Sequence, residues 1–292
     1  VGSYADSIVG SIDGRDLAGM RVVLDCANGA NWQLGPQVLR SLGAEVEATG
    51  VYPDGVNIND GCGSNHPEGL AAAVSGRGAD VGIAFDGDAD RVVAVDHLGR
   101  VLDGDQLMAM LAVDMRDRGR LERDTVVVTV MSNLGFRRSM ADAGIAVFDT
   151  AVGDRYVLEA IEQGGFSLGG EQSGHIVLAD RGTTGDGLLS AVTVLDLVRR
   201  SGRTLAELAD GAMTRLPQVL VNVPIAAPMP DVADRLAERI AEVEQRLGDS
   251  GRVLLRPSGT EPVVRVMAEA DTEAFARSTA DELAAAVTAL AS

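Results

Sequence analysis

The sequence predicts an α/β protein with two successive mixed α/β domains followed by a smaller α+β C-terminal domain. Apolar, β-branched runs alternate with helical patterns through the first two thirds of the chain. The last third lacks this alternation and combines a charged amphipathic pattern with two strand-like runs and a final helix. The 292 residues suffice for about two or three domains. We place the boundaries near residues 104 and 215, which gives domains 1–104, 105–215 and 216–292.

In the first predicted domain, three strand-like runs alternate with two helical patterns. The strands are expected in MRVVLDCANG, EVEATG and DVGIAFDGD, and the helices in WQLGPQVLRSLG and HPEGLAAAVSGRG. A β-α-β-α-β unit implies a largely parallel sheet with right-handed connections.

A second unit of similar size and element order follows. The pattern GDQLMAMLAVDMRDRG predicts a helix with one apolar face, on which Leu107, Met108, Leu111 and Met115 lie. Further along, TVVVTVM, IAVFDT, FSLGGE and HIVLAD predict strands, and NLGFRRSMADAG, DRYVLEAIEQGG and DGLLSAVTVLDLVRRSG predict helices. In the last domain, PDVADRLAERIAEVEQRLGD and TEAFARSTADELAAAVTAL predict helices, and RVLLRPSG and EPVVRVMAEA predict strands.

The charge balance limits the partners that this chain can have. It carries 43 acidic and 25 basic residues, for a net charge of −18, which argues against a general binder of nucleic acids or of anionic membranes. A small anionic ligand requires a local positive cluster. All basic residues are arginines, so a catalytic lysine is excluded within this sequence.

Other compositional features favour a soluble cytoplasmic protein. No apolar run approaches the roughly 20 residues that span a bilayer, and the start VGSYADSIVGSIDG does not resemble a signal peptide. Cys26 and Cys62 have neither metal-site spacing nor a disulfide framework, and Cys26 is expected as a buried, reduced thiol. The chain begins with Val1 rather than Met, which suggests that a preceding segment is missing.

Three aspartates in GIAFDGDADRVVAVD indicate a candidate metal site. Asp86, Asp88 and Asp90 alternate after an apolar strand, and in an extended segment alternate residues point to the same side. Hard oxygen ligands select Mg²⁺ or Ca²⁺, and the carboxyl end of a strand is the expected place for ligands in open α/β sheets. The EF-hand pattern fails, because its sixth position here is Arg91 and its twelfth is His97.

Two alternatives to a metal site stay open at this point. The aspartates could form an acidic surface turn. An apolar strand followed by D-x-D also resembles the nucleophile loop of haloacid-dehalogenase-type phosphatases. That family continues with a Gly-Thr-like turn and uses a downstream basic residue, typically Lys, whereas this chain continues with ADR and has no Lys.

Two further loops combine polar groups suited to ligands. In GGEQSGHIV, the alternating Glu171, Ser173 and His175 could hydrogen-bond sugar hydroxyls. In RPSGTEPVVRV, a Ser-Gly-Thr turn offers backbone N–H groups to a phosphate, and Arg256 and Arg265 could add charge-assisted hydrogen bonds. The alternatives are a hairpin with polar tips and a turn with solvated arginines.

Together, these three loops resemble those of the α-D-phosphohexomutases. DGDADR is similar to the metal loop of that family, GEQSGH to its sugar loop and RPSGTEP to its phosphate loop. Their order and spacing match the second, third and fourth domains of a four-domain fold, and the resemblance covers essentially the whole chain. VGDRYV, which includes Arg155, resembles a stretch that approaches the sugar. Gln172 and the Gly-Thr-Glu of the last loop favour the glucosamine branch of this family. The phosphomannomutase/phosphoglucomutase branch more often has Met at the position of Gln172.

The resemblance implies Mg²⁺ as cofactor, bound by Asp86, Asp88 and Asp90, and a hexosamine phosphate as substrate. The implied reaction moves a phosphoryl group between the 6- and 1-positions through a phosphoserine and a 1,6-bisphosphate. The implied catalytic residues are Arg91 and His175. The implied substrate-binding residues are Arg155, Glu171, Ser173, His175, Arg256, Ser258, Gly259, Thr260 and Arg265.

The phosphoserine loop of the family, a Ser-His-Asn-Pro-like segment of its first domain, has no match here. GSNHPEG (63–69) has these residue types in the wrong order. The expected partner is therefore a missing N-terminal domain of the same protein, and the chain alone is predicted to be inactive. A sugar-phosphate-binding module without catalysis is the alternative. The sequence leaves the oligomeric state open, with a homodimer as one alternative.

Overall fold

The computed structural model describes residues 2–258 and 261–291, which form two compact units. The first unit contains residues up to 132 and 136–214, and the second contains 133–135 and the residues from 215 onward. The elements that begin before residue 215 are α1 (Gly2–Gly10), β1 (Arg21–Asp25), α2 (Leu34–Ser41), β2 (Glu45–Thr49), α3 (Glu68–Arg77), β3 (Val81–Phe85), β4 (Val92–Asp96), β5 (Val101–Leu102), α4 (Gly104–Asp117), β6 (Thr125–Thr129), α5 (Leu134–Asp142), β7 (Ala146–Thr150), α6 (Asp154–Gly164), β8 (Leu168–Gly170), β9 (Ile176–Leu178), α7 (Gly187–Ser201) and α8 (Leu205–Ala212).

The first sheet has the order β2-β1-β3-β4-β5. Strands β2, β1 and β3 are parallel, which confirms the predicted β-α-β-α-β unit, while β4 and β5 are antiparallel to their neighbours. Every residue of β3 and β4 is buried. Because Phe85 pairs with Val92, residues 86–91 are the connection of a hairpin at the carboxyl end of β3.

The second sheet repeats this arrangement with the order β7-β6-β8-β9. Strand β6 is parallel to β7 and β8, and β9 returns antiparallel to β8. Since Gly170 pairs with Ile176, the sugar loop 171–175 is also the connection of a hairpin. The sequence predicted β8 and β9 as strands, and the structure confirms them.

One apolar core joins the two sheets of the first unit. It includes side chains from β1, β3, β4, α4, β6 and α7. The predicted apolar face of α4 is confirmed, since Leu107, Met108, Leu111 and Met115 are all buried. Burial of such side chains contributes about 1.5–3 kcal/mol each, so a shared core fixes the hairpins at residues 86–91 and 171–175 relative to each other. Cys26 is buried and unpaired, as expected.

The second unit is an antiparallel sheet covered by helices. Its elements after residue 215 are β10 (Gln218–Pro224), α9 (Val232–Arg235), α10 (Ala237–Leu247), β11 (Arg252–Pro257), β12 (Val263–Glu269) and α11 (Glu273–Ala291). The strand order is β10-β12-β11, and the unit has an apolar cluster of its own. This arrangement confirms the predicted α+β character.

Three helical features differ from the sequence predictions. Helices α1 and α8 were not predicted, although Thr204 and Glu207 form a capping box at the start of α8, a signal visible in the sequence. The charged pattern predicted as one helix is two helices, because Leu236 has φ −107° and ψ 14°, outside the helical range. Among the helices that the structure describes, none is long and apolar enough to cross a membrane.

Candidate functional site

The metal loop does not have the extended shape on which the sequence argument relied. Residues 87–90 form a turn, and Ala89 has a left-handed backbone with φ 65°. The prediction that alternation places Asp86, Asp88 and Asp90 on one side of an extended segment is therefore wrong in its geometry. The hairpin between β3 and β4 requires a reversal of the chain here, and a reversal removes the two-residue periodicity.

The three aspartates differ in their surroundings. Asp86 is buried, with 4% of its surface exposed, whereas Asp88 is exposed and Asp90 is half-buried. Burial raises the pKa of Asp86 and the neighbouring Asp90 carboxylate raises it further, while the Arg91 backbone N–H, donated to Asp86 Oδ1 at 3.2 Å, opposes the shift. The loop thus holds charge in a place where a carboxylate is poorly solvated.

Arg91 partly balances this charge. Its Nε lies 3.5 Å from Asp86 Oδ2 and 3.8 Å from Asp90 Oδ1. Asp90 Oδ1 is buried and accepts no hydrogen bond from the residues that the structure describes. Within those residues, no group of three or more His, Cys, Asp or Glu side chains is close enough to hold a metal ion. The possible metal ligands are hard carboxylate oxygens, and one of them, Asp90 Oδ1, accepts no hydrogen bond from the described residues. Such oxygens fit Mg²⁺ or Ca²⁺, but they do not form a closed cage.

A second layer of residues braces the metal loop at Gly87. Asn59 Oδ1 accepts the Gly87 N–H at 2.9 Å, and Ala30 N–H donates to the Gly87 carbonyl at 2.8 Å. A Cβ on Gly29 would lie 2.3 Å from that carbonyl oxygen, so only glycine fits there. Asn28 and Asn59 both have positive φ, a conformation that Asn tolerates better than most residues. This layer was not predicted, although Asn28-Gly29 is a turn signal visible in the sequence.

The sugar loop places its three predicted residues in different surroundings. Glu171 is half-buried, and its Oε1 accepts the Gly153 N–H at 3.1 Å. Ser173 is exposed, and His175 is only 4% exposed. The Glu171 N–H donates to the His175 carbonyl at 2.9 Å, which closes the turn. Glu171 and Ser173 face regions that a ligand can reach, whereas His175 does not.

His175 connects the sugar loop to the metal loop. Its Nδ1 lies 3.1 Å from Asp90 Oδ2, and its Nε2 accepts the Gly185 N–H at 3.2 Å. Because Nε2 is an acceptor, the proton of the neutral ring belongs on Nδ1 and is donated to Asp90. The Val92 N–H also donates to the Gly174 carbonyl at 3.0 Å. The two loops, about 80 residues apart in sequence, are thus neighbours.

The metal loop (86–91), the sugar loop (171–175) and the residues that contact them, among them Asn59, are called the cluster below. The start of α7 also contacts this cluster. Asp186 caps the helix by accepting the Leu189 N–H at 2.9 Å, and it accepts a hydrogen bond of 2.7 Å from the Tyr4 hydroxyl. Burial and the Asp186 carboxylate raise the pKa of Tyr4. The Gly187 N–H donates to the Ala89 carbonyl at 3.0 Å. The contact of Tyr4 with Asp186 was not predicted, because it joins residues far apart in the chain.

Arg155 and Gln172 have contacts outside the cluster. Arg155 is exposed, donates to Glu159 Oε1 at 2.8 Å and lies over the Tyr156 ring. Gln172 Nε2 lies 3.4 Å from Asp103 Oδ2, at the cap of α4. The sugar-binding role of Arg155 stays a prediction.

In the second unit, two arginines oppose each other on the hairpin of β11 and β12. Arg256 pairs with Arg265 in the antiparallel register, so their side chains lie on the same face about 5 Å apart at Cβ. Like charges directly opposite each other are destabilising, and an anion between them removes that cost. Arg265 donates to Glu261 Oε2 at 2.8 Å, so an internal carboxylate already satisfies part of this demand.

The turn between these strands contains the predicted phosphate loop. The Ser258 N–H donates to the Val263 carbonyl at 2.9 Å, and Ser258 Oγ accepts the Glu261 N–H at 3.2 Å. Gly259 and Thr260, which the sequence also assigned to this loop, lie outside the described residues. The described part of this hairpin therefore places two arginines, Arg256 and Arg265, near Ser258, a combination that suits an oxyanion.

Comparison with known proteins identifies the three domains. Models of the phosphoglucomutase/phosphomannomutase family match in succession: alpha/beta/alpha domain II at residues 3–99, alpha/beta/alpha domain III at 103–216 and the C-terminal domain at 220–286. A relative from Frankia alni, named phosphoglucosamine mutase, is 56% identical over 98% of this chain and 63% of its own length. A relative from Nocardioides sp., also named phosphoglucosamine mutase, is 56% identical over 97% of this chain and 63% of its own length.

A solved structure supports the fold. It is Aspergillus fumigatus N-acetylphosphoglucosamine mutase in complex with GlcNAc-6P and magnesium, with a TM-score of 0.80 and 22% identity, covering 99% of this chain and 66% of that one. This chain spans about 63% of the length of the two curated relatives. The resemblance inferred from the three loops is confirmed: the chain belongs to the phosphoglucomutase/phosphomannomutase family and contains its domains II, III and IV.

Proposed function

We propose that this chain forms the metal-, sugar- and phosphate-binding domains of a phosphoglucosamine mutase, which interconverts glucosamine 6-phosphate and glucosamine 1-phosphate. In this proposal, residues 1–104 carry the metal loop, 105–215 the sugar loop and 216–292 the phosphate loop. The observation that carries it is the 3.1 Å contact between His175 and Asp90, which joins two of the three loops. The 56% identity to phosphoglucosamine mutases supports the choice of sugar.

The reaction has two phosphoryl transfers. A phosphoserine, supplied from outside these residues, gives its phosphoryl group to the 1-hydroxyl of glucosamine 6-phosphate and becomes a free serine. The resulting 1,6-bisphosphate reorients, and its 6-phosphoryl group returns to the serine oxygen. In the first transfer, the proton of the sugar 1-hydroxyl ends on the serine oxygen that loses the phosphoryl group. In the second, the serine hydroxyl proton ends on the 6-oxygen.

Asp86, Asp88 and Asp90 would hold Mg²⁺, which, when bound, neutralises charge on the transferring phosphoryl group. Arg91, within 4 Å of Asp86 and Asp90, adds a fixed positive charge at the same place. His175 orients Asp90 by donating a hydrogen bond from its Nδ1–H to the Asp90 carboxylate. Both ring nitrogens of His175 are engaged, so its predicted part in proton transfer requires one of these contacts to open.

Each unit carries its own proposed substrate-binding residues. Glu171, Ser173 and Arg155 are proposed to bind sugar hydroxyls, Glu171 from the position that its hydrogen bond to Gly153 defines. Gln172 acts indirectly, through its contact with Asp103 at the cap of α4. The phosphate that is not reacting is held by the hairpin of the second unit, through Arg256, Ser258, Gly259, Thr260 and Arg265.

The test uses two proteins, this 292-residue chain and a form extended by the segment encoded upstream of Val1. We expect no turnover of glucosamine 6-phosphate by the shorter chain with a 1,6-bisphosphate activator, and turnover by the extended one. Calorimetry should give a Kd of about 0.1 to several mM for the shorter chain, which corresponds to about 3–5.5 kcal/mol. Turnover by the shorter chain would show that the nucleophile lies within it, with Ser64 the first residue to replace.

Two alternatives have distinct outcomes in the same assay. A phosphomannomutase/phosphoglucomutase would give a higher kcat/KM with mannose or glucose 6-phosphate than with glucosamine 6-phosphate. A sugar-phosphate-binding module would bind the substrate but show no turnover in the extended form either.

A further inference from the structure

From a cleft in the first unit, remote from the metal loop, we infer a second ligand site for a small organic anion with an apolar body. The cleft lies where the parallel strands β1 and β3 begin, beside Arg21 and Asp80. The metal loop follows the opposite end of β3. A strand of five residues separates the two ends by about 16 Å. The inference does not depend on the proposed function.

The size and floor of the cleft suit a small molecule. Its volume is about 520 Å³, within the range of roughly 300–1,000 Å³ typical of ligand pockets. The apolar lining is provided by side chains that are otherwise buried in the core, namely Met20, Ala79, Val198 and Leu205. An apolar or aromatic group of a ligand would cover this surface and gain the usual free energy of burial.

The rim of the cleft is positive in a strongly acidic chain. Three arginines, Arg21, Arg199 and Arg203, line it against one carboxylate, Asp80. Arg21 pairs with Asp80 at 3.3 Å, and Arg203 donates to the Glu207 carbonyl at 2.6 Å. With a net charge of −18 over the whole chain, such a local excess of arginine favours an anionic ligand.

Arg199 is the group that an anion would engage first. It is exposed in the last turn of α7, and its side chain makes no hydrogen bond or ion pair with any residue in the described part of the chain. The first turn of α8 borders the same cleft at Leu205. Thr204 caps the Glu207 N–H, so only the N–H groups before Glu207 lack a partner within the helix. The Arg199 guanidinium, unpaired within the described residues, and the start of α8 lie beside an apolar floor. This combination favours an amphipathic anion as the ligand, such as an aromatic phosphate ester.

The two sites of this unit lie at opposite ends of α7. The helix begins at Gly187, whose N–H contacts the metal loop at Ala89, and its last turn carries Arg199. Fifteen residues correspond to about 22 Å. A ligand in the cleft therefore cannot also contact the aspartates, and binding there is separable from substrate binding.

The test is an amide ¹⁵N NMR titration of the 292-residue chain with 1-naphthyl phosphate, with inorganic phosphate as the charge-only probe. We expect saturable shifts at Gly78, Gly202 and Leu205, and at least tenfold weaker binding of inorganic phosphate. The double variant Arg199→Gln/Arg203→Gln should weaken naphthyl phosphate binding about tenfold or more. Arg138→Gln, which changes a helical arginine elsewhere in the unit, should leave the Kd unchanged.

Three results would overturn the inference. They are the absence of saturable shifts at these amides up to 5 mM naphthyl phosphate, an unchanged Kd in the double variant, and equal affinities for the two probes. Because Arg199 and Arg203 are exposed, the double variant should fold. If its thermal melt nevertheless differs, Arg199→Gln alone provides the comparison, with a weaker Kd expected and an unchanged one contradicting the proposal.

Discussion

The cluster of the first unit and the hairpin of the second unit are assembled in opposite ways. The cluster joins loops about 80 residues apart in sequence through a buried histidine, backbone hydrogen bonds and a helix cap. The hairpin places Arg256 opposite Arg265 by local strand pairing alone. The cluster concentrates carboxylates, whereas the hairpin concentrates guanidinium groups.

The two regions also differ in what stabilises their local backbone conformation. The cluster holds several non-glycine residues at positive φ, among them Asn59 and Ala89, and such conformations persist only when surrounding contacts determine them. In the part of the hairpin that the structure describes, residues 252–258 and 261–269, no residue has a positive φ, and its cost is the repulsion between the opposed arginines. Loss of one contact should therefore disturb the cluster as a unit but affect the hairpin only locally.

The largest expected effect is on the metal. Asp86→Asn should weaken Mg²⁺ binding by about 100-fold or more, since loss even of residues that only support metal ligands costs about 10–100-fold. Isothermal titration calorimetry with MgCl₂ measures this. Asp142→Asn, an exposed carboxylate on α5, is the matched control and should leave binding unchanged. Equal affinities of the wild type and Asp86→Asn would exclude Asp86 as a ligand.

The next effect is on the stability of the cluster. His175→Ala removes the partner of the half-buried Asp90 and leaves the buried Gly185 N–H unsatisfied, at about 1–3 kcal/mol for that buried group, and it also opens a cavity. We expect about 3 kcal/mol lower free energy of unfolding in urea. His66→Ala, at an exposed histidine, should change it by less than about 0.5 kcal/mol. A similar small loss in both variants would mean that His175 does not hold the loops together.

The hairpin should respond differently. Arg265→Gln should weaken the binding of inorganic phosphate to the second unit about tenfold, the effect of losing about 1.4 kcal/mol, with a stability change below about 0.5 kcal/mol because the Glu261 contact is at the surface. Amide NMR of residues 252–258 and 263–269 measures the Kd for inorganic phosphate and, in a urea titration, the free energy of unfolding. Arg235→Gln is the control. A destabilisation as large as that of His175→Ala would remove the contrast between the two regions.

The smallest effect concerns pH and the metal-free protein. Burial, with help from Asp90, raises the pKa of Asp86 above its ordinary value of 3.8. Folding therefore disfavours the ionised form, and the wild type loses stability as the pH rises from 3.8 through the raised pKa. Asp86→Asn should accordingly have a higher Tm than the wild type at pH 7 without metal. This advantage should disappear below about pH 3.8. A lower Tm at pH 7 would contradict the sign.

The sequence predicts local features of this protein well and long-range ones poorly. Strands β3 and β6 follow from apolar runs, and the opposed arginines of the second unit lie within one hairpin, where pairing fixes the register. The geometry of the metal loop was predicted wrongly, because alternation cannot reveal that the chain reverses at Ala89. The contacts of Tyr4 with Asp186 and of His175 with Asp90 depend on packing between distant segments, which periodicity does not encode.

The most direct test of the account is whether a metal bound by the aspartates lies beside the sugar loop. Mn²⁺, a paramagnetic substitute for Mg²⁺, broadens the amide resonances of nearby residues. In the 292-residue chain, we expect substoichiometric Mn²⁺ to broaden Gly87 and Asp90 in the metal loop and Gly174 and His175 in the sugar loop, and Mg²⁺ to reverse this. Broadening of the metal loop alone, or broadening that persists in Asp86→Asn, would contradict the account.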